Sequence, residues 1–209
     1  SMELAAEELE GDLQRDQVKR YLDMANREID RLATIVRRMR DFYRPTREGL
    51  QPTDLHALLD NVLALTNKQL QHSNITLAHE WANGLPKIMT NPDYLKQVFL
   101  NLVLNAIDAM PSSEDRRGGL LTIRTALSQL RRGEQAVPAV SVEFSDTGDG
   151  IPPDALPHIF EPFVTTKQNG TGLGLSISYG LIEAHNGQIT ASSQVGVGTT
   201  FTILLPVTP

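Results

Sequence analysis

The stretch "FEPFVTTKQNGTGLGLSIS", residues 160–178, decides how this chain reads. Gly170, Gly172 and Gly174 fall on every second position. Glycine there costs backbone entropy and offers nothing to pack, so neither a strand nor a mid-helix gains from it. The three glycines lie between an apolar loop (Ile159, Phe160, Phe163, Val164) and a helical stretch from Leu175 onward. A glycine-rich turn running into a helix N-terminus exposes backbone N–H groups at the positive end of the helix dipole, an arrangement that cradles phosphate. Lys167 and Thr171 add a charge and a hydroxyl. The spacing is neither G-x-G-x-x-G behind a strand nor G-x-x-x-x-G-K-[ST]. On its own the stretch reads equally well as a flexible structural loop.

Two upstream stretches bear on the choice. "NLVLNAIDAM" (101–110) sets Asn101 and Asn105 at i and i+4, on one face of an otherwise apolar helix. A carboxamide oxygen is a neutral hard ligand that suits Mg2+ shared with phosphates. The competing reading is a pair of helix-packing asparagines bonded to backbone groups. "DTGDGIP" (146–152) puts Asp146 at a strand end, followed by Gly148 and Gly150, which let a ligand approach closely. A carboxylate there accepts a hydrogen bond from an exocyclic amine such as that of adenine; the competing reading is a simple Asx turn.

Taken in the order Asn105, Asp146, Phe160 with Phe163, and Gly170 with Gly172 and Gly174, these segments closely resemble the N, G1, F and G2 boxes of sensor histidine kinases. The ATP-binding domain of those kinases belongs to the Bergerat-fold group, with type II topoisomerases, heat-shock chaperones and mismatch-repair ATPases. The resemblance covers residues 50–209. It implies a catalytic ATP-binding domain at 48–209 and, at 1–47, part of a dimerisation and phosphotransfer helical bundle: the end of its first helix and its second helix. The implied fold is α+β, a two-layer sandwich of one mixed sheet with helices on one face, preceded by a long bundle helix.

The resemblance also implies roles, residue by residue. Asn105 resembles the Mg2+ ligand, with Asn101 one turn away near the phosphates and Asp108 beside them. Asp146 resembles the adenine-reading aspartate, helped by Gly148, Gly150 and Ile151. Phe160 and Phe163 anchor a mobile lid. Thr166, Lys167, Gly170, Thr171, Gly172, Leu173, Gly174 and Leu175 face the phosphates, and the lid glycines let the loop close on a nucleotide and reopen. Thr199, in "GVGTTF", matches a hydroxyl near the adenine aspartate. The implied cofactors are ATP and Mg2+. The implied activity is that of an ATP-dependent protein-histidine kinase, which passes the γ-phosphate to a bundle histidine for relay to a response-regulator aspartate. The implied partners are a response-regulator receiver domain and a second copy through the helical bundle.

Two departures matter. Bergerat ATPases that hydrolyse ATP resemble one another in carrying glutamate one turn before the metal asparagine. Here that position is Asn101, and an amide cannot act as a general base, which favours phosphoryl transfer to another residue over water attack. No histidine lies in the 1–44 region; the five are His56, His72, His79, His158 and His185. The phosphoacceptor is therefore expected upstream of Ser1-Met2, which reads as a tag remnant. This stretch alone is expected to bind nucleotide and not to phosphorylate itself. The alternatives are a non-catalytic ATP-binding or dimerisation module, and a Bergerat-type ATPase.

The remaining chain is compatible with this reading. Its 209 residues are 40% hydrophobic and 21% charged, the composition of a globular protein. A net charge of −6 weighs against a nucleic-acid partner. The absence of cysteine excludes disulfides, thiol nucleophiles and thiolate metal sites. No apolar run reaches membrane-spanning length, so the expected location is cytoplasmic, with any membrane attachment of the full-length protein in segments outside this sequence.

Val18, Leu22, Ala25, Ile29, Leu32, Val36, Met39 and Tyr43 form a heptad seam over residues 16–44, widened by Ile35 and Phe42 into a bundle face. Residues 45–53 read as a linker. A helix capped by Thr53 or Asp54 follows, then a strand at 75–81, a turn, a helix from Asn91-Pro92 to about Met110, and a loop at 111–119. Strands are expected at 120–127 and 137–146, a helix at 176–185 closed by Asn186-Gly187, and a final hairpin across 195–198. His185 stands next to that helix C-terminus, where a cation is mildly favoured.

Overall fold

The computed structural model describes residues 21–22, 49–110, 118–133, 135–167 and 170–207. It falls into two units, Ser1–Tyr43 and Arg44–Pro209. Of the first, only Tyr21 and Leu22 are described, both helical, so the heptad seam otherwise lies outside the described residues.

In the second unit a polar cap starts each of the two long helices. Asp54 accepts the backbone N–H groups of His56 and Ala57 at the start of α1 (Leu55–His72). Asn91 does the same for Asp93 and Tyr94 at the start of α2 (Pro92–Ala109), with Pro92 at the first helical position, where its missing N–H costs nothing. Leu55, Leu58, Leu59, Val62 and Leu63 of α1 are buried at helical spacing, as are Leu95, Val98, Phe99, Leu102 and Val103 of α2. Each such side chain contributes roughly 1.5–3 kcal/mol on burial. A third helix, α3 (Gly174–Ala184), packs against α2.

Seven strands are present among the described residues: β1 (Gln51–Thr53), β2 (Thr76–Glu80), β3 (Ile88–Thr90), β4 (Leu120–Arg132), β5 (Gln135–Asp146), β6 (Gln188–Gln194) and β7 (Gly198–Pro206). Five form a mixed sheet in the order β2-β4-β5-β7-β6, with β2 parallel to β4 and the other pairs antiparallel. Register explains the layering. Ile123, Phe144 and Phe201 lie opposite one another on adjacent strands, as do Thr125, Val142 and Ile203, and all six are buried. Phe99 of α2 meets Phe144 with ring centroids 5.6 Å apart, so this face carries the helices. The alternate row, Arg124, Glu143 and Thr202, is polar and belongs to the opposite face. The result is the expected α+β two-layer sandwich.

The structure departs from expectation at short elements. The stretch read as a linker ends in β1, which pairs antiparallel with β3, itself unforeseen. Three-residue strands are too short to show a period of two, and Pro52 is tolerated in a two-stranded ribbon. The β4–β5 hairpin runs on to Arg132 and Gln135, turning at Gly133 with φ +61°. Helix α3 starts at Gly174, two residues earlier than expected, and Asn186 adopts the left-handed cap conformation, φ +56°. His185 ties two helix ends together. Its Nε2 accepts the Asn91 N–H at 3.1 Å while Nδ1 lies 2.7 Å from the Leu181 carbonyl, joining the start of α2 to the end of α3. Residues 111–117 of the expected loop lie outside the described residues.

Candidate functional site

Asp146 ends β5 and is 7% exposed. Its Oδ1 accepts two backbone N–H groups, from Gly148 at 2.9 Å and Thr199 at 3.3 Å. No donor among the described residues bonds Oδ2. Burial pushes the carboxyl above the ordinary aspartate range, and the two backbone donors and the Lys167 charge pull it back. The Asx-turn reading and the ligand reading thus coexist: one oxygen builds the turn and the other is left over.

The loop after Asp146 is fixed on both sides. Gly148 packs against the end of α2, where an added Cβ would stand 2.8 Å from the Ala109 carbonyl carbon, and the next residue, Asp149, donates its N–H to Ala109 O at 3.0 Å. Gly150, at φ +74°, is pressed against the Gln194 backbone, so any side chain there meets both strain and backbone. Ile151 N–H donates to Ser193 Oγ at 2.8 Å. That hydroxyl lies 2.9 Å from Thr199 Oγ1.

The glycine-rich segment leads into α3. Phe160 is half-buried, with its ring 5.6 Å from that of Tyr179 and 6.5 Å from that of Phe201. Phe163 is placed differently from the anchor expected of it. Its side chain is 61% exposed and its backbone is left-handed, φ +68°, while its N–H donates to Gly172 O at 2.9 Å. Gly172, φ +65°, sits so close to the Phe163 backbone that no Cβ fits. Gly170 N–H donates to Lys167 O, and Thr165 Oγ1 accepts the Lys167 N–H. Thr166 is exposed, Thr171 and Leu175 are half-buried, and Leu173 is buried beneath them.

The two asparagines on α2 part company. Asn101 donates from Nδ2 to Ser178 Oγ at 3.0 Å, and its side chain fills the space in front of Gly174. It docks α2 against α3. Asn105 accepts from Lys167 Nζ at 3.2 Å, and Asp108, one turn on, takes the same ammonium at 2.9 Å. One lysine thus gathers two oxygens of α2, and its charge also acts on Asp146.

Sequence reading missed three contributors: Ser193, Ser178 and Gly198. The first two are ordinary serines whose partners are distant in sequence. Gly198, at φ +140°, has its Cβ position filled by the Asp146 carbonyl oxygen; its place beside Thr199 in a hairpin was the available signal.

The family model of histidine kinase-, DNA gyrase B-, and HSP90-like ATPases matches residues 90–209. The chain belongs to this ATPase family. Within the family it is of the histidine-kinase kind, and its matched part is an ATP-binding domain. It is 36% identical over 181 residues to the sensor histidine kinase ZraS of Escherichia coli (strain K12), covering 87% of this chain and 36% of ZraS. It is 37% identical over 185 residues to the sensory histidine kinase/phosphatase NtrB of Rhizobium meliloti (strain 1021), covering 86% of this chain and 47% of NtrB. The chain therefore spans less than half the length of either relative. Among solved structures, the catalytic domain of histidine kinase ThkA matches with a TM-score of 0.63 and 30% identity, over 77% of this chain and 97% of that one. Full-length ShkA in complex with AMPPNP matches with a TM-score of 0.69 and 28% identity, over 85% of this chain and 36% of that one. No described helix is long and apolar enough to cross a membrane.

Proposed function

We propose that residues 48–209 bind Mg-ATP and act as the kinase half of a sensor histidine kinase, and that residues 1–47 are part of its dimerisation and phosphotransfer bundle. In this reading the γ-phosphate passes to a bundle histidine outside this chain and then to a response-regulator aspartate. The observation that carries it is the state of Asp146: a buried carboxylate with one oxygen held by backbone and the other, among the described residues, without a donor. A carboxylate oxygen in that position can only accept, so it suits a donor such as an exocyclic amine. ShkA, a relative in fold and kinase type, is described in complex with an ATP analogue.

The α2 oxygens fit the metal. Asn105 Oδ1 and Asp108 Oδ2 already converge on one cation, the Lys167 ammonium, and a neutral amide with a carboxylate is a donor set for a hard divalent ion that retains phosphate and water ligands. Mg2+ there would neutralise charge on the β- and γ-phosphates. Lys167, displaced from α2, has the reach and charge to meet a phosphate oxygen, alongside the lid backbone from Gly170 to Gly174. Phe160 holds the base of the lid against α3 and β7. Asn101 supports transfer over hydrolysis: it is an amide, and it is engaged with Ser178.

The test uses the full-length protein with γ-labelled ATP and magnesium. Acid-labile label on a histidine upstream of this segment is the expected result. Steady release of free phosphate, with no protein label, would replace this reading with that of an ATPase.

A further inference from the structure

A side-chain hydrogen bond joins α2 to α3 beside the glycine-rich segment. Ser178 Oγ donates to the Gly174 carbonyl at 3.0 Å, one turn back on α3. A hydroxyl has one proton, so with it spent there Ser178 Oγ can only accept. The Asn101 amide supplies the matching donor, Nδ2, at 3.0 Å. That orientation leaves Asn101 Oδ1 over Gly174, where an added Cβ would stand 2.4 Å from it. Asn101, Ser178 and Gly174 thus form one interlocked contact, and only glycine fits at its third position. Ser178 is 1% exposed, so water does not replace a partner lost there.

The contact lies where the two parts of the proposed phosphate end approach each other. Asn105 follows Asn101 by one turn of α2, and the glycine-rich segment runs into α3 at Gly174. Buried apolar side chains on both helices, Leu102 on α2 and Ile177 and Leu181 on α3 among them, drive burial without fixing how far one helix slides along the other. A hydrogen bond is directional and fixes that height. A single ion that bridges an α2 oxygen and a phosphate on the glycine backbone needs the height fixed.

We propose that Ser178 is a positioning residue for the bridge between metal and phosphate: through the Asn101 amide it sets α3 against α2, and so the glycine-rich backbone against Asn105. The inference rests on the Mg-ATP reading of the site. Asn101 then acts on the nucleotide through Ser178 and is not itself a ligand. Asp146 stands at the end of β5, outside this contact, so a nucleotide without the β- and γ-phosphates does not depend on it.

The experiment is a double-mutant cycle of Ser178→Ala and Asn101→Ala. Affinities for AMP, for ATP with magnesium and for ATP with chelator are measured by calorimetry, beside the melting temperature. In Ser178→Ala the gain that magnesium brings to ATP is expected to fall about fivefold to tenfold, the effect of one hydrogen bond lost, while AMP binds as before. Asn101→Ala is expected to lose the same amount, and the double variant no more than either alone. Ser178→Ala decides by itself should Asn101→Ala not fold, since alanine suits the interior of a helix. A purely structural pair would lower the melting temperature, weaken AMP and Mg-ATP alike and leave the magnesium gain intact; that result overturns the inference alone. A loss in Asn101→Ala far larger than in Ser178→Ala, or additive losses in the double variant, would make Asn101 a direct ligand and overturn it as well. No magnesium gain in the unaltered chain overturns the Mg-ATP reading and this inference with it.

Discussion

Lys167 donates from Nζ to Oδ1 of Asn105 across 3.2 Å, joining the glycine-rich segment to helix α2. The oxygen it holds is the one proposed to coordinate magnesium, so on that proposal lysine and metal would compete for it. Lys167 and its second partner, Asp108, are both well exposed, and an exposed pair is worth only about 0–1 kcal/mol. Lys167→Ala is therefore expected to leave the melting temperature nearly unchanged. It should weaken ATP roughly tenfold while sparing AMP, because the freed ammonium serves the terminal phosphates. Calorimetric titration with both nucleotides checks this; equal weakening of AMP would place Lys167 elsewhere.

Asp146, proposed to read the adenine, is costly to bury as a charge. Burial, its largest influence, raises its folded pKa above the ordinary value. Such a group's contribution to stability is fully present below the ordinary carboxylate range and is lost as pH rises through the folded value. At pH 7 the fold therefore carries the cost of a buried charge. Asp146→Asn keeps an Oδ1 for the two backbone donors and removes the charge. The melting temperature of the variant should rise at pH 7, with the advantage gone below about pH 4. ATP affinity should fall by about tenfold to a hundredfold, the range for a hydrogen bond to a charged group. Thermal scans across pH, paired with ATP titrations, follow both effects.

Much of this site was legible because its chemistry sits in short local patterns. Asp146-Thr-Gly148, Asn101 with Asn105, and the glycines at 170, 172 and 174 each announce a turn, a helix face or a close approach within a few residues. What was not legible is what sheet register assembles. Ser193 and Thr199 are paired across a hairpin, and Ser193 reaches Ile151 across 42 positions of sequence. The two asparagines look equivalent at i and i+4, yet one meets Ser178 on α3 and the other Lys167 of the glycine-rich segment, partners that are distant in sequence. Of the fold, the capped helices and long strands were readable from periodicity. The β1–β3 ribbon was not, since three residues show no period.

Asn105→Ala isolates the metal. Asn105 is half-buried on the surface of α2, and alanine is a strong helix former, so the fold should be unharmed. The ratio of ATP affinities with magnesium and with chelator should collapse toward one, while affinity in chelator stays near that of the unaltered chain. A variant that retains the full magnesium increment would remove Asn105 from the metal.

Gly198→Ala tests the frame behind Asp146. At φ +140° a side chain is strained, and the Asp146 carbonyl oxygen fills the place of the Cβ. A loss of about 1–3 kcal/mol or more is expected, read as a lower urea midpoint at unchanged slope. Wild-type stability would mean that the start of β7 shifts at no cost.

The central claim is that this unit holds an adenine nucleotide at Asp146, and direct titration tests it. Mg-ATP titrated by calorimetry into folded protein should give one saturable site, and inosine triphosphate should bind far more weakly. No heat at millimolar ATP, or inosine triphosphate binding as well as ATP, would contradict the account.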